Sequence, residues 1–374
     1  MLLKREEIED REKKALADYA VKSAESHGRQ YDESADPFRT CFQHDRDRVI
    51  HSKAFRRLRG KTQVFVSHYG DHYRSRLTHT MEVAQISRDL ARTLGLNEDL
   101  AETIALAHDL GHTPFGHAGQ ETMNNMMKEY GESFEHNEQS RRIVELLEEK
   151  KPEFRGLNLT FEVRDGLIKH RTSYDKPSIF DTFMPSIEAQ IVNMADEIAY
   201  LNHDIDDGLR SGILKINDLD GLSIWQKIKK DVSQKLPIDF RITAMISRLI
   251  SMMIEDLTKN TDALISEAGI HNVEQVYKHK NILSSFSKNF EKECAQLKTF
   301  LYDNFYRSPG VSEYNIRGQE VIRSLFKRLV KDTSLLPDKV RLNAKENKTH
   351  VMVKDYIAGM TDQFALDLYE KITK

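Results

Sequence analysis

Asn97-Glu98-Asp99-Leu100-Ala101-Glu102-Thr103-Ile104-Ala105-Leu106-Ala107-His108-Asp109-Leu110-Gly111-His112 reads as a helix that ends on reactive chemistry. Asn97 is a residue type whose side-chain oxygen caps a first turn. Leu100, Ile104 and His108 follow at steps of four, so His108 points inward with the apolar stripe. Gly111, just beyond, is a stop signal. The doublet His108-Asp109 sets a neutral nitrogen ligand beside a carboxylate, which is a compact half of a divalent-metal site.

Working outward, the same logic finds the other half. His79 opens the stripe of Val83, Ile86, Leu90 and Leu94 in a helix expected over 78–94, so it too points inward. A third helix is expected over 186–209, with Ile187, Ile191, Met194, Ile198, Leu201 and Ile205 facing the core. Asp196, Tyr200 and Asp204 share a different face of it at steps of four and could line a pocket. A single imidazole on an apolar stripe is ordinarily a hydrogen-bonded core residue, and a single helix carboxylate is ordinarily solvated. Together, two imidazoles and two carboxylates suit Mn, Mg, Fe or Zn and leave room for water, which points to hydrolysis of a phosphate ester.

Helical periodicity continues along the chain, with Pro and Gly falling between periodic runs, so the fold class is all-α. Further helices are expected over 242–257, 273–305 and 316–330, and a weak alternation from Lys339 to Met352 allows one short β-hairpin. With 374 residues, eight scattered prolines and no Gly/Ser-rich linker or internal repeat, one compact body is expected rather than separate domains. A net charge of -3 supplies no global field for nucleic acid, so any polyanion contact must be local. Only Cys41 and Cys294 are present, which excludes a disulfide framework and a thiolate metal site. No apolar run approaches membrane-spanning length and the N-terminus carries no hydrophobic signal, so a cytoplasmic location without membrane attachment is expected.

At Asp45-Arg46-Asp47-Arg48, Phe55-Arg56-Arg57-Leu58, Lys61-Thr62-Gln63-Val64-Phe65, Arg76-Leu77-Thr78-His79-Thr80, 107–119, Phe134-Glu135-His136-Asn137, Ala195-Asp196-Glu197-Ile198-Ala199-Tyr200 and 355–362, the chain resembles the HD-domain metal-dependent phosphohydrolases. More narrowly it resembles the deoxyguanosine triphosphate triphosphohydrolase family and its relatives acting on deoxynucleoside triphosphates generally. The resemblance covers nearly the whole chain. It implies an N-terminal helix and loop over 1–44, an HD-domain helical bundle core over 45–210, and a C-terminal helical extension over 211–374. It implies a divalent metal, Mn2+ or Mg2+ foremost, with Fe, Co, Ni or Zn as alternatives, held by His79, His108, Asp109 and Asp196. The implied reaction is attack by water on the α-phosphorus, giving deoxynucleoside and tripolyphosphate, with His117 as the donor to the leaving 5′-oxygen.

The same resemblance assigns Arg76 to the phosphates, where a planar guanidinium matches phosphate oxygens, and Lys61, which closes the cationic run beginning at Arg46, is a further substrate-binding candidate. It assigns Gln63 and Asp204 to the 3′-hydroxyl of the deoxyribose, and Tyr200 to the face of the sugar where a 2′-hydroxyl would clash. Arg46, Arg48, Lys53, Arg56, Arg57 and Arg59 form a cationic run that is either phosphate-facing or a solvated helix face. Relatives of the family carry Glu or Asp three residues after the histidine matching His117, whereas this chain has Gln120. Gln cannot exchange a proton but still positions a ring, so Glu121 or His136 shares the catalytic role, or His117 works with less help. The family further implies dimers or hexamers and deoxynucleotides as activators. Two other readings stay open: an HD phosphohydrolase acting on another nucleotide ester, and a non-catalytic regulator binding nucleotides or single-stranded nucleic acid.

Overall fold

The structure, a computed structural model, describes residues 2–63, 74–170, 183–342 and 348–373. Val64 and Phe65 of the quoted motif, and 343–347 of the alternating stretch, lie outside the described residues. Every regular element among the described residues is helical, and β-pairing is limited to the isolated bridges Arg29 with Thr160, Thr62 with Ser75 and Glu149 with Gly156. No described helix is long and apolar enough to cross a membrane.

The chain divides into two compact units, each built from three separated stretches rather than from consecutive segments. The first contains Met1–Val49, His79–Leu106 and Asn158–Ser308; the second contains Ile50–Thr78, Ala107–Leu157 and Pro309–Lys374. Residues 211–308 fall in the first unit and 309–374 in the second.

The first unit is organised on the helix Ile187–Arg210, which is buried along nearly its whole length and packs against Ile238–Glu267 and Lys288–Leu301. Its Ser186 cap accepts from the Ala189 N–H. Trp225, Leu249, Met253, Leu297 and Phe305 are fully buried in this unit. The helix expected over 273–305 is instead two, Val273–Lys278 and Lys288–Leu301. Polar residues along the run take backbone groups out of the helix. Asn272 caps the first helix, Ser287 caps the second and bonds to Asp256, and the Leu283 and Ser284 N–H groups donate to Gln190 Oε1.

Glu188, in the first turn of Ile187–Arg210, is fully buried and accepts from the Val21 N–H at 2.9 Å and the Asn97 N–H at 3.2 Å. Burial pushes its carboxyl up to about 7 against those bonds, from an ordinary 4.5. Between those values the folded chain holds a proton that the unfolded chain has released, so stability falls as pH rises through this window and levels above it. Glu188→Gln removes the titration. In urea unfolding, the stability of the native chain relative to the variant is expected to drop by about 2–3 kcal/mol between pH 5 and pH 8. A difference independent of pH would refute the assignment.

In the second unit, Gly116–Lys128 packs against Pro309–Lys331, and Thr349–Ala358 and Asp362–Thr373 complete the layer. Phe115, Met123, Met126, Val321, Phe326 and Ile357 fill the core between them. The expected hairpin over 339–352 is not formed: its described ends are the helices Asp338–Leu342 and Thr349–Ala358. Met352 and Val353 are buried by helical packing, a tertiary effect that outweighs a weak period-two signal.

Candidate metal centre and its surroundings

Each unit carries a buried cluster of histidine and carboxylate. In the first, His79 projects from the helix Arg76–Thr93 and is 1% exposed. Its Nδ1 lies 2.9 Å from His203 Nε2, and its Nε2 lies 2.9 Å from Asp196 Oδ1. Asp196 Oδ2 is 3.5 Å from His170 Nε2. His203 Nδ1 is 2.9 Å from Asp204 Oδ1, and Asp204 Oδ2 accepts from the Tyr306 hydroxyl.

His203 Nδ1 and Asp204 Oδ1 form no hydrogen bond with each other, so whichever of His203 Nε2 and His79 Nδ1 carries the proton donates to the other. His79 Nε2 faces the Asp196 carboxylate at 2.9 Å, a position filled equally by the proton of a neutral ring or by a metal ion. The donor set fits a metal: an imidazole whose far nitrogen is held by a second group, beside a carboxylate. Asp196, Tyr200 and Asp204, read as one polar helix face, are all buried.

In the second unit the helix Glu98–Ala107 has just ended, and His108 to His112 form the following turn. Asp109 is 3% exposed, with Oδ1 at 3.4 Å from His108 Nε2 and 3.0 Å from His112 Nε2, and Oδ2 accepting from Arg76 Nη1 at 2.9 Å. Burial alone would raise its carboxyl; His108, Arg76 and His112 together outweigh burial and hold it well below the usual carboxylate range. Burial, with Arg76 and His136 beside it, keeps the His112 ring neutral by pushing its pKa well down. Ser140 pins the turn from behind, donating to the His108 carbonyl at 2.7 Å and accepting from the Gly111 N–H at 2.8 Å.

His117 is exposed in the first turn of Gly116–Lys128, its ring centroid 5.9 Å from that of His112. The preceding Phe115 is buried in the left-handed region at φ 62°, a conformation that costs a non-glycine residue about 1–2 kcal/mol. Asp362 holds it there: Oδ1 accepts from the Phe115 N–H at 3.0 Å, and Oδ2 accepts from the Thr62 N–H at 2.8 Å and the Tyr314 hydroxyl at 3.0 Å. His136 stacks on His112 with centroids 4.0 Å apart, and its Nδ1 lies 3.0 Å from Gln120 Oε1. Gln120 therefore reaches His136, and its amide nitrogen reaches Glu135 at 3.3 Å. Glu121 is exposed.

Lys61 is buried, and its Nζ donates to the carbonyls of His112 and of Ala358, the latter at 2.8 Å. Burial, then the Arg76 charge, pushes its ammonium down to about 7. Gln63 Oε1 and Arg76 Nε are buried with no hydrogen-bond partner among the described residues. The cationic run divides: Arg46 pairs with Asp99 and Glu102, and Arg48 with Glu33, while Lys53, Arg56, Arg57 and Arg59 are exposed. Sequence reasoning passed over His203, His170, His112, Ser140 and Asp362. His203-Asp204 repeats the His-Asp doublet of 108–109 and was open to the same reading.

Residues 76–201 match the HD domain and residues 284–371 match the phosphohydrolase-associated domain. A deoxyguanosinetriphosphate triphosphohydrolase-like protein of Geobacter metallireducens is 46% identical over 369 residues, covering 96% of this chain and 96% of its own length. One of the same name from Ralstonia pickettii is 45% identical over 367 residues, covering 96% and 94%. Another from Leptospira interrogans is 41% identical over 381 residues, covering all of both chains. The chain belongs to the HD-domain phosphohydrolases, within the group of deoxyguanosinetriphosphate triphosphohydrolase-like proteins.

Proposed function

We propose that this hydrolase cleaves deoxynucleoside triphosphates at the α-phosphorus, releasing deoxynucleoside and intact tripolyphosphate. The observation that carries the reading is the buried approach of His79 Nε2 to Asp196 Oδ1 at 2.9 Å, an imidazole and a carboxylate set together as metal ligands are, in a chain similar over nearly its full length to proteins named deoxyguanosinetriphosphate triphosphohydrolase-like. His79, His108, Asp109 and Asp196 would hold the divalent ion, Mn2+ or Mg2+ foremost. When bound, such an ion polarises the α-phosphoryl oxygen and makes water a better nucleophile.

The remaining steps fall to the chain's own side chains. Arg76 keeps Nη1 on Asp109 and has an unpartnered Nε for a phosphate oxygen, a fork suited to bidentate contact. His117, exposed in the first turn of its helix, donates the proton that the leaving 5′-oxygen needs. Gln63, with an unpartnered Oε1, and Asp204 would receive the 3′-hydroxyl. Tyr200 packs against the sugar and leaves no space for a 2′-hydroxyl. Lys61, held by two carbonyls, fixes the loop behind His112 and adds positive charge to the phosphate side. Assembly into dimers or hexamers, with a deoxynucleotide as activator, belongs to the same reading.

The test incubates the full chain with each of the four deoxynucleoside triphosphates, singly and mixed, with Mn2+ or Mg2+, and separates the products by ion exchange. Tripolyphosphate with free deoxynucleoside is expected, and activity only in mixtures would reveal the activator. Pyrophosphate or orthophosphate as the first product would move the assignment to another nucleotide ester. Binding that weakens with salt, without turnover, would leave a nucleotide or single-strand binding regulator.

A further inference from the structure

The surroundings of Gln120 give it a task of its own. Its amide bridges two groups of opposite demand: Nε2 donates to Glu135 Oε2 at 3.3 Å, and Oε1 lies 3.0 Å from His136 Nδ1. An ionised carboxylate only accepts hydrogen bonds, so Glu135 decides which end of the amide faces it. The oxygen must then face the ring, and His136 Nδ1 must carry the proton. The ring plane is set independently by the stack on His112, whose planes differ by 18°. His112 has the opposite arrangement, since its Nε2 faces Asp109 Oδ1 at 3.0 Å. A nitrogen of each ring and an oxygen of Asp109 all lie within 4.8 Å of one another, so the orientation of His136 is set beside the acidic group of this cluster.

We propose that Glu135 and Gln120 are a pair of positioning residues for His136: Glu135 orients the amide, and the amide holds the ring with its proton on Nδ1. The link to catalysis rests on the phosphohydrolase reading above; the ring's tautomer does not.

The experiment reads the tautomer directly, by two-bond proton–nitrogen correlations on the full chain carrying 15N-histidine, in Mg2+ buffer, with His136 assigned by the signal lost in His136→Asn. The native chain is expected to show His136 protonated on Nδ1. Glu135→Gln, which keeps shape but can accept or donate, frees the amide to turn and is expected to give a mixture of tautomers. Gln120→Leu removes the bond altogether and is expected to lower kcat by about tenfold, the worth of one lost hydrogen bond, with KM within about twofold. Should Gln120→Leu fail to fold, the isosteric Glu135→Gln still decides. A native ring protonated on Nε2, or a tautomer unchanged by Glu135→Gln, overturns the pair whatever the activity. An Nδ1-protonated ring that responds to Glu135→Gln, in a chain that hydrolyses nothing, supports the pair and overturns the proposed function instead.

Discussion

Asp109→Asn is expected to lower metal-dependent hydrolysis by about a thousandfold or more, because it removes a charged ligand from the proposed metal site, whose ion would stabilise several kcal/mol of developing charge. The structure adds a second consequence. Asp109 is also the carboxylate that neutralises buried Arg76, at 2.9 Å, and it accepts from His112. Removing one partner of a buried pair leaves an uncompensated charge at a cost of about 3–5 kcal/mol, moderated in asparagine by the oxygen that remains. The double variant His108→Ala/Asp109→Ala has no such oxygen and is expected to keep its helical circular dichroism at 25 °C while unfolding at a clearly lower temperature. Calorimetric titration with Mn2+, product release and thermal unfolding, run together on both variants, separate the two effects. Native Mn2+ affinity and rate in Asp109→Asn would remove Asp109 from the site; an unchanged unfolding temperature in the double variant would show that Arg76 does not depend on it.

How much of this was legible beforehand depends on the kind of signal. Periodicity located the helices that carry the site, since Val83, Ile86, Leu90, Leu100 and Ile104 recur at the helical repeat and are all buried. Asn97 was read as a cap and does accept from the Leu100 N–H at 3.1 Å. What periodicity does not carry is partnership across sequence. Asp362 reaches the Phe115 N–H, 247 residues away, and nothing local in Thr361-Asp362 marks that bond. The break at 279–287 failed for the opposite reason: its Asn and Ser residues were visible, but a buried Gln190 and a half-buried Asp256 had to be placed before the segment had anything to bind. Gln120 stands out as a departure in the sequence, with Glu121 or His136 named to share its role; the fold brings His136 to its amide oxygen, leaves Glu121 exposed, and alone reveals Glu135 at its amide nitrogen.

Gly111→Ala is expected to destabilise the second unit by about 4 kcal/mol or more, at the exceptional end of single substitutions. The sequence reading gave this glycine the right importance on the wrong ground. A helix-stop glycine normally occupies the left-handed region, where alanine is strained by its own backbone; Gly111 is not among the positive-φ residues. Its need is for space. A Cβ on Gly111 would stand 2.1 Å from the His136 carbonyl oxygen and 2.3 Å from the Ser140 nitrogen, and both obstacles are backbone atoms of the helix His136–Arg142 or its bonded turn. No rotamer change relieves such a contact, so the helix must retreat, and with it go the Ser140 bonds to the His108 carbonyl and Gly111 N–H and the stack of His136 on His112. Loss of stability and loss of activity are therefore expected together, whereas a purely conformational role for the glycine would predict a loss of about 1 kcal/mol with the site intact. Urea unfolding of Gly111→Ala beside Gly131→Ala decides, because Gly131 has a positive φ of 74° and open space around its missing Cβ: the larger loss at Gly111 establishes close packing as the reason for glycine there, and equal losses would return the position to a simple helix stop.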